Sequence, residues 1–414
     1  MNMRNECRSA IAPSVVKGSS RHLAGFAFFT FICYLSIGLP LAVLPPYVHL
    51  KMGYSAALAG LMISIQYVAT LVSRPWAGRI SDSLGARISV LWGMTMCMSS
   101  GLVLILAASL YHMHFLSLGL LFLSRLLLGT GESLGSTGST LWGITSAGPE
   151  FTAKMISYNG ISTYGAMAIG APLGVVLDQH WGFGAIGVLT AAVCALALFL
   201  ASRKAPGPVS HGEPLPFVHL AGRVAPHGMA LALGGIGYSV LATFITLYYA
   251  SRHWQGAALC LTAFGVAFIL SRILFIPSIA RHGGFATGIV CLGVESVGVL
   301  ILWLSASPWT ALGGAALTGL GFSLVFPALG VEAVKRVEAG NRGSALGVYT
   351  AFSDVSFFLT GPIAGVVIGH WGYASVFLFA LIAVVTALGI TLVLRAMDSA
   401  LIASETETLS NRRI

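Results

Sequence analysis

Residues 172–183 read PLGVVLDQHWGF, and residues 362–373, which lie 190 positions later, read PIAGVVIGHWGY. In both segments the proline stands eight residues before the histidine, and a His-Trp-Gly triplet follows an apolar run. A shared proline, an identical spacing and a shared triplet rarely arise together by chance. The pattern therefore indicates two sequence-related halves.

Other positions repeat in the same way. Some recur at the offset of 190 and others at 198, so the halves differ in loop length. The pairs are Gly129 with Gly319, Gly131 with Gly321, Ser73-Arg74 with Ser271-Arg272, and Gly85 with Gly283. Parallel halves of this kind are a transporter architecture, with the substrate path between them.

The composition indicates a membrane protein. Only 8% of the residues are charged, 56% are apolar and 50 are glycine, whereas a soluble protein carries about a quarter charged residues. Small residues let membrane helices approach closely. The six cysteines form no CxxC pair, and the pair His112 and His114 has no acid or cysteine nearby, so no metal site is expected. Without a Walker motif, no ATP or other cofactor is expected.

An apolar run of about 20 residues can cross a bilayer as a helix. Polar and Gly- or Pro-rich breaks divide the chain into twelve such spans, which predicts an all-α membrane protein with six spans in each half. The first run is too long for a signal-peptide core and is read as a retained span. The predicted spans are 23–48, 55–78, 88–110, 115–142, 155–177, 184–202, 226–250, 257–280, 286–305, 310–333, 343–369 and 372–395.

The distribution of Lys and Arg predicts the orientation, since these residues are retained on the cytoplasmic side. With a cytoplasmic N-terminus, 19 of the 22 lie on the cytoplasmic side, two (Lys51 and Arg252) lie opposite, and Arg125 lies inside a span. Both termini are therefore expected on the cytoplasmic side of the membrane. The net charge of +9 is then explained by the basic residues that orient the chain in the membrane, and no nucleic-acid partner is expected.

The longest polar break separates the halves. Residues 203–225 contain four prolines and two histidines and are predicted to be a flexible cytoplasmic linker. The predicted organisation is a cytoplasmic N-terminal segment, a six-helix bundle, the linker, a second six-helix bundle and a cytoplasmic tail. Their ranges are 1–22, 23–202, 203–225, 226–395 and 396–414.

The loop after span 2 carries a gating motif. It contains Gly78, Asp82, Gly85 and Arg87 and resembles the G-x-x-x-D-R-x-G-R-R signature of the major facilitator superfamily, although two basic positions are lost. The resemblance implies that Gly78 permits close helix approach. It also implies that Asp82 contacts the start of span 11 near residues 341–344 and so latches the outward-open state, favourably with the helix dipole. The alternative is a solvated turn without a gating role.

Span 4 carries two intramembrane charges. Arg125 and Gly129 resemble an R-x-x-x-G motif of the same superfamily, and Glu132 follows seven residues after the arginine. That separation is about 10 Å along a helix, too far for a direct ion pair. Charges at membrane depth are expensive and are functional candidates by default. Of residues 129–140, ten are Gly, Ser or Thr, which favours a polar cavity wall over simple helix packing.

Three intramembrane acids could carry a proton. A carboxyl in a low dielectric holds its proton to higher pH than in water, as a proton carrier requires. Glu132 is the first candidate and Asp354 in span 11 the second, with a purely structural role for Asp354 equally open. Glu295 in span 9 is weaker, because spans 3, 6, 9 and 12 are peripheral in this superfamily. Several polar residues could line a cavity or be packed: Tyr34, Gln66, Trp142, Asn159, Tyr164 and Tyr238.

Span 5 contains Gly170, Pro172 and Gly174. The segment resembles the G-x-x-x-G-P-x-x-G-G element of antiporters in the superfamily, and such residues, like Pro362 in span 11, kink helices and allow close packing, here at the interface between the halves. The proline-rich end of span 1 and the span 4 run resemble the YhhS/YfcJ-type inner-membrane transporters of bacteria.

The sequence thus predicts a monomeric secondary transporter, in which alternating access exports a small solute in exchange for protons. A proton symporter or uniporter that imports a metabolite is the alternative within transport. An enzyme should show a clustered nucleophile, base or metal set, and a receptor should append a soluble output domain. The sequence shows neither feature.

Overall fold

In a computed structural model, the chain is described for residues 20–148, 151–207, 217–337 and 342–411. These residues are almost entirely helical and contain no β-strand. Helices bond their own backbone groups, which a lipid environment requires. Eleven described stretches are long and apolar enough to cross a membrane. One of them, Ala56–Ser109, contains two helices, so the predicted twelve spans are present.

The first half begins with a helix that prolines interrupt. Span 1 ends just after Pro40 and continues as a short turn, Leu44–Pro46, and a π-helical turn, Tyr47–Lys51. Another π-helical turn, Ser81–Gly85, joins spans 2 and 3. Spans 1 to 6 are Ser20–Leu41, Ala56–Ile80, Ala86–Ser109, His114–Ala147, Thr152–Trp181 and Gly184–Arg203.

The second half repeats this order. Span 10 is divided at Ser323 and Leu324, and a short helix, Pro277–His282, follows span 8. Gly283 and its repeat partner Gly85 both have positive φ, at 84° and 99°, which glycine adopts without steric cost. Spans 7 to 12 are Phe217–Ser251, Ala257–Phe275, Gly284–Trp303, Pro308–Phe322 with Val325–Lys335, Arg342–Trp371 and Ser375–Asn411.

Two helices are longer than the predicted spans. Span 7 begins at Phe217, inside the segment expected to be a flexible linker. Span 12 continues to Asn411, inside the expected tail. Hydropathy identifies only the part of a helix that meets lipid, and a helix can continue beyond it into water. Residues 208–216 of the expected linker lie outside the described residues.

The halves meet along two crossings, span 2 against span 11 and span 5 against span 8. Near the face opposite the termini, the first crossing is a backbone contact. A Cβ on Gly60 would lie 2.8 Å from the carbonyl carbon of Gly361. At the rim, His49 Nε2 lies 2.9 Å from the hydroxyl of Tyr373. These contacts hold the two halves together on that face.

Span 4 packs equally closely on span 2. A Cβ on Gly129 would lie 2.9 Å from the carbonyl carbon of Gln66. In the same helix, a Cβ on Gly119 would meet nothing within 4 Å. The two glycines form a matched pair that differs in the space around them.

We predict that Gly129→Ala destabilises the protein by about 1–3 kcal/mol, because the added methyl group must displace backbone. Gly119→Ala, the control, should be neutral or stabilise by up to about 1 kcal/mol, since alanine is the better helix former. Thermal unfolding of the purified protein in detergent measures both effects. Equal unfolding temperatures for the two variants would show that the close approach at Gly129 is absent.

Candidate functional site

A cavity of about 310 Å³ lies between the halves. Its described lining comes from spans 1, 2, 4, 5, 7, 8, 10 and 11, and none of it from spans 3, 6, 9 or 12. Tyr34, Asn159, Tyr164 and Tyr238 are among the lining residues. The volume is at the lower end of the range of small-molecule pockets, about 300–1,000 Å³. The site can therefore enclose one small solute.

Glu132 lies in the cavity wall and is only 2% exposed. The hydroxyl of Tyr34 donates to its Oε1 at 2.8 Å, and Thr70 Oγ1 lies 2.9 Å from its Oε2. Among the described residues, the carboxyl forms no ion pair. Hydroxyl groups from spans 1 and 2 thus surround an acid that no cation neutralises directly.

Asp354 also lines the cavity, and it pairs with Arg74 across the interface between the halves. The contact is bidentate: Arg74 Nε donates to Oδ2, and Nη2 donates to Oδ1 at 3.0 Å. The side chain of Asp354 is 6% exposed and that of Arg74 is 25% exposed. Charge-assisted bidentate pairs are strong and fix geometry, so this pair joins span 2 to span 11.

The sequence predicted Asp354 as a candidate but not its partner. In the sequence, Arg74 stands out only as part of the Ser73-Arg74 repeat and as one of the 19 basic residues on the cytoplasmic side. Its repeat partner, Arg272, also lines the cavity and is 6% exposed. The repeat itself was the signal, because it places two arginines at equivalent positions of spans 2 and 8.

Arg125 is buried but does not belong to the cavity lining. Its Nη1 donates to Gln66 Oε1 at 3.1 Å. Trp142 is likewise packed, against Phe26 and Phe29. Arg125 and Glu132 both form hydrogen bonds with span 2, but only Glu132 reaches the cavity.

Glu295 in span 9 is fully buried and lies outside the cavity lining. It packs among glycines: a Cβ on Gly237 would lie 2.6 Å from its Oε1, and one on Gly321 would lie 2.7 Å from its Cα. Neither carboxyl oxygen has a hydrogen-bond partner among the described residues. This peripheral placement agrees with its lower rank as a transport residue.

The predicted gating loop makes contacts within the first half. Arg87 Nε donates to the carbonyl of Ala201 at 3.3 Å, and Nη2 donates to that of Ser202. Asp82 is exposed. A Cβ on Gly78 would meet nothing within 4 Å, so the close approach expected there is not made in this conformation. The expected partner of Asp82, residues 341–344, lies partly outside the described residues.

The glycines of span 5 pack against span 1, within the first half. A Cβ on Gly170 would lie 3.0 Å from the Cα of Gly38, and one on Gly174 would lie 2.8 Å from the carbonyl carbon of Leu39. The expectation that these glycines pack at the interface between the halves is wrong. These glycines thus bring spans 1 and 5 into close contact within one half. Pro172 and Pro362 lie within continuous helices.

The fold and the cavity define a transporter that spans the membrane. The Major Facilitator Superfamily profile matches residues 26–293 and 229–408. The chain belongs to the major facilitator superfamily, and it is accordingly a secondary transporter rather than an enzyme.

Two groups of relatives are similar over nearly the whole chain. An uncharacterized MFS-type transporter of Pseudomonas aeruginosa (strain UCBPP-PA14) is 54% identical over 372 residues, which is 90% of this chain and 92% of the relative. An uncharacterized MFS-type transporter of Burkholderia mallei (strain SAVP1) is 50% identical over 386 residues, which is 93% of this chain and 95% of the relative.

Solved structures share the fold at low sequence identity. A mutant form of the nucleoside transporter NupG superposes with a TM-score of 0.72 at 15% identity, over 90% of this chain and 99% of its own. The human organic anion transporter MFSD10 (TETRAN) gives 0.65 at 16% identity, with the same coverage. These likenesses concern the fold alone.

We predict that Arg74→Gln and Asp354→Asn each destabilise the protein, because each leaves the other charge without its counter-ion. The double variant should recover part of the loss, with a coupling energy of about 1–3 kcal/mol between the two sites. Thermal unfolding of the four proteins measures this cycle. As a control, Arg336→Gln and Asp398→Asn remove a more exposed pair and should combine additively. Additive effects at Arg74 and Asp354 would contradict the pairing.

Proposed function

We propose that this chain is a proton-coupled antiporter that exports a small solute by alternating access, with Glu132 as the proton carrier. The environment of Glu132 is the observation that carries the proposal. An acid inside the membrane that faces a cavity marks a proton or substrate pathway. Glu132 has this placement, whereas Asp354 is already held by Arg74.

The hydrogen bonds of Thr70 are compatible with a protonated as well as an ionised Glu132. Besides the carboxyl, Thr70 Oγ1 lies 3.1 Å from the carbonyl oxygens of Gln66 and Gly129. A hydroxyl has one hydrogen to donate. When that hydrogen goes to a carbonyl, the 2.9 Å contact with Glu132 is a hydrogen bond only if the carboxyl carries the proton. The site can therefore hold Glu132 in both protonation states.

The transport cycle follows from this site. In the conformation described, contacts such as those of Gly60 with Gly361 and of His49 with Tyr373 close the face opposite the termini. Opening that face exposes Glu132 to the outer proton concentration. Protonation removes the buried charge, which favours return to the conformation described here. Solute binding on the other side then displaces the proton. Asp82 and Arg87 belong to the latch of the opposite state.

The export direction rests on the likeness of Gly170, Pro172 and Gly174 to the antiporter element. A second candidate, proton symport, is favoured by the charges of the cavity. Arg74 is neutralised by Asp354, so protonation of Glu132 leaves Arg272 as excess positive charge. An anionic solute and a proton would then bind together and move in the same direction.

The remaining features belong to the same proposal. The 19-to-2 distribution of Lys and Arg supports an inner-membrane protein with both termini in the cytoplasm. The working unit is a single chain, since the cavity is enclosed by its own two halves. The two bundles, 23–202 and 226–395, are the moving bodies. Membership of the YhhS/YfcJ-type subgroup is also part of this proposal.

We predict that Glu132→Gln abolishes solute transport driven by a pH gradient in proteoliposomes, while exchange between labelled and unlabelled solute persists. The solute is chosen as the compound that most raises the unfolding temperature in a metabolite panel. Glu295→Gln, which alters a buried acid outside the cavity, is the matched control and should retain driven transport. Unchanged driven transport in Glu132→Gln would refute the assignment.

Proton release distinguishes antiport from symport. In weakly buffered detergent solution, solute binding should release a proton from the unaltered protein and none from Glu132→Gln. A pH-sensitive dye measures the change. Proton uptake upon binding would establish symport in place of antiport, and no change in the unaltered protein would argue against coupling through Glu132.

A further inference from the structure

Arg272 is a buried cation in the cavity without an acidic partner among the described residues. It is 6% exposed. Its Nη2 donates to the carbonyl of Ser323 at 2.6 Å, while its Nε has no hydrogen-bond partner in the part of the chain described. A buried charge without a counter-ion costs several kcal/mol, so the protein keeps Arg272 against a large energetic penalty.

The internal repeat shows which acidic partner Arg272 lacks. Arg272 is equivalent to Arg74 at the offset of 198, and Tyr164 is equivalent to Asp354 at the offset of 190. In one crossing, Asp354 on span 11 neutralises Arg74 on span 2. In the other, the neutral Tyr164 of span 5 stands where the carboxylate would be.

The second crossing brings the equivalent groups close together. A Cβ on Gly160, one helical turn before Tyr164, would overlap the guanidinium group of Arg272. The ring of Tyr164 lies 3.8 Å, centroid to centroid, from that of Phe268. Arg272 therefore crosses from span 8 towards span 5 as Arg74 crosses from span 2 towards span 11, but it meets no carboxylate there.

One aromatic ring packs on the unpaired guanidinium group, and further rings line the same cavity. The guanidinium carbon of Arg272 lies 4.9 Å from the ring centroid of Phe268. Tyr238 stacks with Phe322 at an interplanar angle of 6° and a centroid distance of 6.0 Å, and Phe268, Tyr238 and Phe322 all line the cavity. An aromatic wall offers stacking to a planar apolar group, and a guanidinium group offers two parallel hydrogen bonds to a carboxylate.

We propose that the solute is an organic anion with one carboxylate and a planar apolar body, and that its carboxylate binds Arg272 and supplies the negative charge that the neutral Tyr164 does not. The inference rests on the proposed transport function and, because an anion binds together with the proton, it supports the symport form of that function over the antiport form. Arg272 supplies charge and hydrogen bonds, and the rings of Tyr164, Tyr238, Phe268 and Phe322 enclose the apolar body. The anion completes the ion pair that the first crossing makes internally.

Arg272 also connects span 8 to span 10 through Ser323. If its role were purely structural, it would maintain this contact without affecting which ligands bind. Only direct binding makes the protein discriminate between ligands by charge. The test therefore compares three probes of nearly equal size and shape: 3-phenylpropionate, 3-phenylpropionamide and 3-phenylpropylamine. Propionate, which lacks the ring, tests the contribution of the aromatic wall.

The experiment measures binding to the purified full-length protein by titration calorimetry and by the shift in unfolding temperature. We expect 3-phenylpropionate to bind about tenfold or more tightly than the amide and the amine, as the loss of a charged hydrogen bond implies. It should also bind about tenfold or more tightly than propionate, which has no ring to pack on the aromatic wall. Arg272→Gln should remove this preference, and Arg272→Lys should retain part of it. Arg281→Gln, which alters an exposed arginine after the same span, should behave like the unaltered protein.

Equal binding of the carboxylate and the amide by the unaltered protein would overturn the proposal, and that comparison requires no variant to fold. Retention of the full preference by Arg272→Gln would overturn it as well. Binding in detergent needs no proton gradient, so it is independent of the role of Glu132. If Glu132→Gln keeps gradient-driven transport while the preference for the carboxylate holds, the proton assignment fails and the anion assignment stands. If Glu132→Gln loses gradient-driven transport while the unaltered protein shows no preference for the carboxylate, the anion assignment fails and the proton assignment stands.

Discussion

The ion pair between Arg74 and Asp354 is the interaction around which the two halves are arranged. It joins span 2 to span 11 beside the cavity, in a setting where neither charge could remain alone at low cost. The same crossing continues to the opposite face, where Gly60 and Gly361 bring the backbones into contact. One end of the crossing is thus held by an ion pair and the other by close backbone packing. A change of conformation must release the contact at one end and keep the contact at the other.

The parallel crossing of span 5 and span 8 lacks this internal neutralisation. Its arginine is held by a carbonyl and by the ring of Phe268, so the net charge of the cavity depends on what enters it. Glu132 contributes the second variable, because its proton decides whether the cavity carries a net charge. In the proposed mechanism, solute and proton therefore act on one another through a shared electrostatic field, without a direct contact.

Much of this could be predicted from the sequence, because hydropathy and repetition are local properties. Apolar runs marked the twelve spans, and the repeated proline and His-Trp-Gly triplet marked the two halves. Glu132 could be predicted to face a cavity from the small polar residues around it. The pairing of Arg74 with Asp354 could not, since 280 residues separate them and periodicity does not determine which helices of the two halves meet. Arg125 shows the same limit: its depth was apparent, but whether it met Gln66 or the cavity was not. Hydropathy also missed the helical continuations of spans 7 and 12, because polar residues interrupt the apolar runs there.

The presence of Tyr164 where the other half has Asp354 has a consequence for how a binding site of the proposed kind can originate. Duplication of a half gives two copies of each arginine, and a scaffold with both acids present would satisfy itself and hold no solute tightly. Loss of one carboxylate turns a structural ion pair into an incomplete one. Specificity then begins with a difference in charge between the two halves. Later substitutions of the surrounding rings need only adapt the shape of the site to its solute.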